Sequence, residues 1–272
     1  MKESPLAPLV LDGWFVLHQF VRIVPGAETD ENASSRLRAL ADLVARHESP
    51  DEEGWTGVYR IVGGGTDYMI MHFRPSLEAL GRAEREFARH PGWQELIPTG
   101  DYLSVVELGL YHVSAALVEE AGAQGIEPHS AEWTALVEAR MQVELEKRYV
   151  QSRLKPEQPE EMPYVCFYPM DKRRAVGQNW YELPLEERAR MMGEHGSVGR
   201  RYAGRISQII SGSVGFDDWE WAVTLFATDP LDFKSLITEM RYDRASSVYA
   251  EFGPFWTGYR IPAAELAAEW AG

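Results

Sequence analysis

A phenol, Tyr168, and an ammonium group, Lys172, lie four residues apart at the end of a stretch that is typical of a β-strand, Tyr164 to Met170, and just after it. Because side chains alternate between the two faces of a strand, Tyr168, Met170 and Lys172 are predicted to share one face. Lys172 also begins a run of three basic residues, a pattern that suits a ligand with carboxylate groups. The run is equally typical of a strand end with solvated charges, and this stretch taken alone favours the solvated interpretation.

A histidine lies among glycines in a predicted helix, Leu185 to Tyr202. Helical spacing places Met192, His195 and Gly199 on one face, with Gly196 beside it. Each glycine inside a helix costs about 1 kcal/mol relative to alanine, a cost that is tolerated where a flat group approaches the backbone. The histidines lack the close spacing of a zinc site, but one imidazole is enough for a haem, whose porphyrin supplies four nitrogen ligands. Spacing alone still favours an ordinary packed histidine.

A polar side chain interrupts an apolar face in the predicted strand Arg205 to Ser213. Gln208 shares that face with two isoleucines and therefore needs a hydrogen-bond partner if it is buried. Either a neighbouring side chain or a ligand meets this need. In the next strand, Trp219 and Trp221 share a face and are predicted to lie in the core.

The elements that position these residues occur in the same order in both halves of the chain, β-α-β-β-α-β. This order is the ferredoxin-like unit. We therefore predict an α+β fold in which two duplicated units form a dimeric α+β barrel within one chain, with room for a ligand between sheet and helices. The predicted elements are strands Trp14–Val24, Thr56–Val62, Tyr68–Phe73, Tyr102–Val113, Tyr164–Met170, Arg205–Ser213, Trp219–Ala227 and Phe255–Ile261, and helices Glu31–His47, Ser76–Phe87, Leu185–Tyr202 and Leu231–Tyr249.

This pattern divides the chain into three parts. Residues 1–130 form an N-terminal ferredoxin-like unit with a structural and oligomeric role, 131–163 a connecting helix and loop, and 164–272 the ligand-binding unit. The connecting helix is predicted over Ala131 to Leu154. The segment before it, Glu119 to Ser130, has no apolar pattern and is either a plain linker or a mobile lid.

Composition excludes several classes of protein. The chain has 272 residues, 45% of them hydrophobic and 25% charged, which is ordinary for a globular protein. Its net charge of −15 argues against nucleic-acid binding, and no apolar run approaches the length of a membrane span. The single cysteine, Cys166, cannot form an internal disulfide, so a reducing, cytoplasmic location is expected.

A family resemblance is carried by four ordered segments. These are CFYPMDKRR, NWY, MMGEHGSVGRRYAGRISQIISGSVGFDDWEW and EMRYDRASSVYAEFG, which together cover most of residues 164–260. They resemble the coproheme decarboxylases of the chlorite dismutase-like haem proteins. The N-terminal half resembles the family more loosely.

The resemblance implies a role for each candidate residue. His195 is the axial iron ligand, and Gln208 occupies the distal position, where chlorite dismutases have an arginine that supports chlorite chemistry. The glutamine therefore argues against chlorite as a substrate. The remaining positions divide into catalytic residues, Tyr168 beside a reactive propionate and Lys172 in the second decarboxylation, and propionate contacts, Met170, Arg153, Arg241 and Ser246.

The implied function belongs to haem biosynthesis. It is the peroxide-dependent oxidative decarboxylation of two propionates of iron coproporphyrin III (coproheme) to vinyl groups, which gives haem b by way of a tyrosyl radical. Coproheme is then both substrate and redox centre, hydrogen peroxide is the oxidant, and the chain assembles as a homopentamer with a transient contact to a ferrochelatase. The alternatives are a non-catalytic haem carrier, which would not need Tyr168, and a peroxidase-like haem protein.

Overall fold

Strands and helices alternate along residues 6–50 and 53–271, which the computed structural model of the chain describes. The strands are β1 (Val10–Ile23), β2 (Trp55–Ile61), β3 (Tyr68–Arg74), β4 (Leu96–Gly109), β5 (Tyr164–Lys172), β6 (Arg174–Ala175), β7 (Gln178–Asn179), β8 (Ile206–Gly212), β9 (Trp221–Ala227), β10 (Ala250–Phe252) and β11 (Trp256–Ile261). The α-helices are α1 (Glu31–Glu48), α2 (Leu77–Arg89), α3 (Tyr111–Gln124), α4 (Ala131–Leu145), α5 (Arg148–Leu154), α6 (Leu185–Arg200), α7 (Leu231–Met240), α8 (Arg244–Ser247) and α9 (Ala263–Ala271).

The large sheet closes into an antiparallel barrel. The first half of the chain contributes the order β4-β1-β3-β2 and the second half the matching order β11-β5-β9-β8. The two sets join where β2 pairs with β11 and where β4 pairs with β8, so that the ring is complete. The predicted α+β barrel of duplicated ferredoxin-like units is confirmed.

The two faces of the barrel wall serve different purposes. On β5, Val165 and Phe167 point into the barrel interior and pack with large side chains such as Phe73. Burial of each such side chain stabilises the fold by about 1.5–3 kcal/mol. Cys166 and Tyr168 alternate with them and point outward, where they pack under α7. A single strand thus supplies both core residues and a row of side chains facing the helices.

Two predictions near the end of the first unit are wrong. The strand predicted over Tyr102 to Val113 ends at Gly109, and α3 begins at Tyr111 and continues to Gln124. Periodicity could not separate strand from helix in this short apolar run. The proposed loop Glu119 to Ser130 is therefore helical in its first half. Gly125, with φ of 69°, ends the helix in the left-handed conformation that glycine favours.

Three further expectations are corrected by the helices and strands of the second half. The predicted connecting helix is divided into α4 and α5. The helix predicted over Leu231 to Tyr249 is divided into α7 and α8, because the Asp243 side chain caps a new helix. The sequence did not predict β10 or α9. Trp221 lines a cavity instead of lying in the core, whereas Trp219 packs at the margin of the barrel interior. In the described ranges, no helix combines the length and apolarity that a membrane crossing requires.

Candidate functional site

A cavity of about 400 Å³ lies between the outer face of the barrel and the helices of the second half. Its volume falls in the range of small-molecule sites. Strands β5, β8 and β9 form the sheet wall, and α6, α7 and α8 form the helical wall. The structure brings all eight predicted site residues to this one cavity: Arg153, Tyr168, Met170, Lys172, His195, Gln208, Arg241 and Ser246.

His195 of α6 faces the cavity from the helical wall and is held by a carboxylate. Its Nδ1–H donates to Oδ2 of Asp243 at 2.9 Å, which assigns the proton to Nδ1. Ser246 donates to both oxygens of the same carboxylate, from its backbone N–H at 2.9 Å and from its hydroxyl at 3.2 Å. Nε2 makes no hydrogen bond among the described residues. A carboxylate–histidine pair of this kind orients an imidazole and makes its free nitrogen a better metal ligand.

The acidity of Asp243 reflects these contacts. Burial alone raises the pKa of this carboxyl, but the hydrogen bond and charge of His195, with the hydrogen bonds from Ser246, bring the pKa below its usual value. Asp243 therefore stays ionised at neutral pH. The N-cap of α8 and the anchor of His195 are the same carboxylate.

Tyr168 presents a buried phenol to the cavity from the sheet wall. The residue is 5% exposed, and its ring stacks on Phe255 with centroids 4.5 Å apart. Burial raises the pKa of its hydroxyl well above the ordinary value, a shift that nearby Cys166 increases and nearby Arg241 opposes. No hydrogen bond to this hydroxyl is made within the described ranges. The phenol is consequently neutral and available to a ligand.

Lys172 is a buried amine, not a solvated strand end. It is 8% exposed, and its Nζ donates to the Ala245 carbonyl oxygen at 3.2 Å while lying 4.4 Å from the centre of the Trp180 ring. Burial lowers its pKa to about 8, although the charges of Asp243 and Glu220 oppose the shift. At neutral pH the amine is therefore mostly an ammonium, and close to the point at which it releases a proton.

Gln208 lies on the sheet wall, across the cavity from the helical wall that carries His195. Its side chain has no hydrogen-bond partner within residues 6–50 and 53–271. The alternative of a hydrogen bond to a neighbouring side chain, which the sequence left open, is therefore not what the structure shows. The amide is free for a ligand.

Cations surround the cavity of this acidic protein. Arg241, just after α7, lies with its guanidinium 3.9 Å from the centre of the Phe252 ring, and Arg153 reaches the cavity from α5. Arg200, at the end of α6, lines it as well and was not predicted. Together with Lys172, they give a local positive field that suits carboxylates.

The glycines of α6 serve different purposes. Gly196 lines the cavity, as expected for a position where a ligand approaches the helix. Gly199 does not line it, and a Cβ there would make an ordinary van der Waals contact with the Met240 methyl, at 3.6 Å. At Gly193 a Cβ would lie 2.7 Å from Nε2 of His112, so this glycine allows α3 to pack closely on α6.

Several lining residues were missed by the sequence analysis. The N-terminal half contributes Glu107 and Tyr111, and β9 contributes Trp221. No local pattern indicates that these side chains meet, since Glu107 and Trp221 are 114 residues apart. Asp243 could have been found, because an aspartate three residues before Ser246 fits a helix N-cap.

The model of the family described as "Chlorite dismutase" matches residues 34–261. This match covers most of the chain, including β5, α6 and β8 of the cavity. The chain belongs to the chlorite dismutase family. The barrel of two similar units and the cavity outside it are therefore features of a member of this family.

The chain is similar over most of its length to several known proteins. A coproheme decarboxylase from Staphylococcus saprophyticus is 39% identical over 266 residues, which are 94% of this chain and 95% of that protein. A putative heme-binding protein from Natronomonas pharaonis is 40% identical over 265 residues, 96% of this chain but 41% of the archaeal protein. This family member thus spans about half the length of the putative heme-binding proteins that it matches. A solved structure of a heme-binding protein from Thermus thermophilus aligns with this chain over the full length of both, with a TM-score of 0.79 at 35% identity.

Proposed function

We propose that this chlorite dismutase family member is a coproheme decarboxylase, which uses hydrogen peroxide to convert two propionates of coproheme into vinyl groups and so forms haem b. The observation that carries the proposal is the pair Tyr168 and Lys172 on one cavity wall, opposite a helical wall with the carboxylate-held His195. The likeness to the Staphylococcus saprophyticus enzyme over nearly the whole of both chains supports it.

The donor set of the cavity fits an iron porphyrin. Among the described residues, no group of three or more His, Cys, Asp or Glu side chains could hold a metal ion. One imidazole with a free Nε2 suits an iron whose other in-plane ligands come from the porphyrin. Apolar side chains on both walls, Ile210, Val223 and Met192 among them, suit the faces of the macrocycle. His195 would hold the iron through Nε2, and the Gln208 amide would be available to a ligand from the sheet wall.

The cations of the cavity explain how an acidic protein binds a polyanion. Coproheme carries four carboxylates, and a protein of net charge −15 repels it unless local cations compensate. Arg153, Lys172, Arg200 and Arg241 provide four such charges at the cavity. Ser246 adds a hydroxyl to the cavity lining. Met170 lies between Tyr168 and Lys172 on the sheet wall.

Each round of the reaction balances as one propionate, one hydrogen peroxide and one proton giving one vinyl group, one carbon dioxide and two water molecules. When bound, the iron porphyrin supplies the redox centre at which peroxide is reduced by two electrons. Tyr168 loses an electron and its phenolic proton together, and the tyrosyl radical then takes a hydrogen atom from the neighbouring propionate arm. The substrate carbon gives up the second electron as carbon dioxide leaves and the double bond forms.

Lys172 acts at the second propionate in this proposal. Its ammonium holds a carboxylate arm by a charge-assisted hydrogen bond. A pKa of about 8 also allows the amine to release or accept a proton near neutral pH. Lys172 is a positioning group in the first round and a proton carrier in the second.

The experiment that tests the function measures product mass. The purified protein is loaded with ferric coproheme and titrated with hydrogen peroxide, and the extracted porphyrin is weighed by mass spectrometry while carbon dioxide is trapped. We expect two successive losses of carbon dioxide and two hydrogens, ending at haem b. A bound coproheme of unchanged mass would contradict the proposal.

A non-catalytic haem carrier is the second candidate. The names of the Natronomonas pharaonis and Thermus thermophilus relatives, which describe heme binding without a reaction, favour it. A carrier would bind the porphyrin at His195 and leave its mass unchanged when peroxide is added. A peroxidase-like protein would oxidise added phenols without releasing carbon dioxide.

The proposal extends to the organisation of the protein. It includes the division at 1–130, 131–163 and 164–272, a homopentamer, a transient contact with a ferrochelatase and a cytoplasmic location. The cavity adds that the first unit also contributes lining residues, Glu107 and Tyr111. Sedimentation equilibrium measures the number of subunits.

A further inference from the structure

One carboxylate faces the ligand cavity among four cations. In the described ranges, Glu107 is the only acidic residue that lines this cavity, whereas Arg153, Lys172, Arg200 and Arg241 bring positive charge. An ionised carboxylate in a site for a polyanion would weaken binding by repulsion. The presence of an acidic residue at position 107 therefore needs an explanation.

The carboxyl of Glu107 is fixed across two neighbouring strands. Its Oε1 accepts a hydrogen bond from the Trp221 indole at 2.7 Å. Its Oε2 lies over Gly212, where a Cβ would come within 2.1 Å of this oxygen. Glycine at position 212 is thus what lets the carboxyl lie flat along the sheet wall. The hydrogen bond thus links the carboxyl to Trp221 of β9, the strand that pairs with the one carrying Tyr168 and Lys172.

The surroundings of Glu107 favour its protonated form. Burial raises the pKa of this carboxyl, the hydrogen bond from Trp221 opposes the rise, and the charge of Asp12 on β1 adds to it. Tyr111 on α3 is the other titratable group that interacts with it, and a neutral phenol supplies no compensating charge. No ion pair to Glu107 is formed within residues 6–50 and 53–271. The second oxygen is left to carry a proton.

We propose that Glu107 is a specificity residue that keeps its proton and shares it with a carboxylate arm of the bound tetrapyrrole. Two carboxyl groups in contact cannot both ionise, so one proton serves the pair. The inference rests on the proposed function, because it takes coproheme as the ligand. Binding of coproheme then depends on a proton that Glu107 already holds or takes up when the ligand binds.

The simpler explanation is that Glu107 only holds the indole of Trp221 in place. Glu107→Gln separates the two explanations, since the glutamine oxygen still accepts from the indole but the side chain cannot exchange a proton. Asp12→Asn is the second variant, because it removes the neighbouring charge and leaves Glu107 intact. Asp101→Asn, at an exposed position on the same strand, is the matched control.

The test measures coproheme affinity without peroxide, by absorbance titration between about pH 5.5 and 7.5, where Lys172 remains mostly charged. We expect wild-type affinity to fall with rising pH, by up to about tenfold per unit once Glu107 ionises. In Glu107→Gln this component of the pH dependence disappears. In Asp12→Asn the fall begins at lower pH, and Asp101→Asn behaves as the wild type. The carboxylates of free coproheme titrate identically in all four experiments, so they do not cause a difference between the proteins.

Two readouts make the outcome specific. At the upper end of this pH range, where Glu107 has ionised in the ligand-free protein, calorimetry in buffers of different ionisation enthalpy should show proton uptake on wild-type binding that Glu107→Gln lacks. At the lower end of the range, infrared spectra of the ligand-free protein should show the carbonyl band of a protonated carboxyl that is missing from Glu107→Gln. Identical pH profiles and proton uptake in wild type and Glu107→Gln would overturn the inference, and carbon dioxide release with peroxide would leave the proposed function standing. Conversely, if the infrared band is present but peroxide releases no carbon dioxide, the proposed function alone is overturned. If coproheme does not bind, both the function and the inference are overturned.

Discussion

At the scale of single residues, the cavity changes what each side chain can do at neutral pH. Lys172 would be a plain cation in water, but burial lowers its pKa to about 8. Tyr168 is moved in the opposite sense, because burial keeps its phenol neutral. One row of side chains on β5 therefore presents an ammonium near its titration point and a phenol that does not ionise.

The buried ammonium predicts a pH dependence of binding. Lys172 is charged below about pH 8 and neutral above it, so coproheme affinity should fall as pH rises through that value. Lys172→Met should lower affinity by about ten- to a hundredfold at neutral pH, the worth of a hydrogen bond to a charged group, and remove the step near pH 8. Absorbance titrations across this range measure both effects. A step of unchanged size in the variant would show that another group titrates.

The same shift affects folding with a definite sign. The folded-state pKa lies below the ordinary value of 10.5. Burial of the ammonium therefore lowers the free energy of unfolding at pH values below about 8. This cost is lost as the pH rises from about 8 toward 10.5, where the unfolded chain also gives up its proton.

At the scale of elements, the short helix α8 performs two tasks with one carboxylate. Asp243 accepts from the Ser246 N–H as the N-cap of α8 and from His195 Nδ1. The carbonyl of Ala245 in the same helix accepts from Lys172. The four residues of α8 thus connect the proposed axial ligand to the buried amine.

Substitutions at Asp243 should separate these two tasks. Asp243→Asn keeps a capping oxygen, so stability changes little, but it removes the carboxylate partner of His195. Coproheme affinity should fall by about ten- to a hundredfold, and the iron–histidine stretching frequency of the ferrous complex should fall. Asp243→Ala should in addition cost about 1 kcal/mol of helix capping. Raman spectra and urea unfolding measure the two effects.

The matched control is Asp30, which caps α1 in the same way by accepting from the Ala33 N–H. Asp30→Ala should cost similar stability and leave coproheme binding unchanged. An unaltered iron–histidine frequency in Asp243→Asn would exclude His195 as the ligand that Asp243 orients.

The sequence predicted the elements whose periodicity is simple. Alternation on β5 correctly placed Tyr168, Met170 and Lys172 on one face, because the other face fills the barrel interior with Val165 and Phe167. It failed where contacts depend on distant parts of the chain. The hydrogen bond from Trp221 to Glu107 joins strands of different units, and the division between α7 and α8 depends on a capping contact.

Roles could be assigned from sequence only through the family resemblance. The geometry of His195 alone is compatible with a packed histidine, and the predicted face was correct for Met192 and Gly196 but wrong for Gly199. What the structure adds is that the eight candidates, spread from Arg153 to Ser246, meet at a single cavity.

At the scale of the whole molecule, local and overall charge act in opposite directions. The chain carries −15, yet four cations line the cavity. Screening extends over about 10 Å at 0.1 M salt, so the nearby cations govern binding. Coproheme affinity should therefore fall with added salt, and more steeply than that of haem b, which has two carboxylates fewer.

Titrations of both porphyrins over a range of sodium chloride concentrations measure this dependence. An affinity that rises with salt would show that the overall negative charge of the protein outweighs the cavity.

The most direct test of the central claim compares Tyr168→Phe with Tyr164→Phe. Both tyrosines lie on the same face of β5, but only Tyr168 lines the cavity within the described ranges. Each variant is loaded with ferric coproheme, treated with hydrogen peroxide and analysed by mass spectrometry. We predict that Tyr168→Phe binds coproheme and forms no haem b, whereas Tyr164→Phe converts it as the wild type does. Full conversion by Tyr168→Phe would contradict the account.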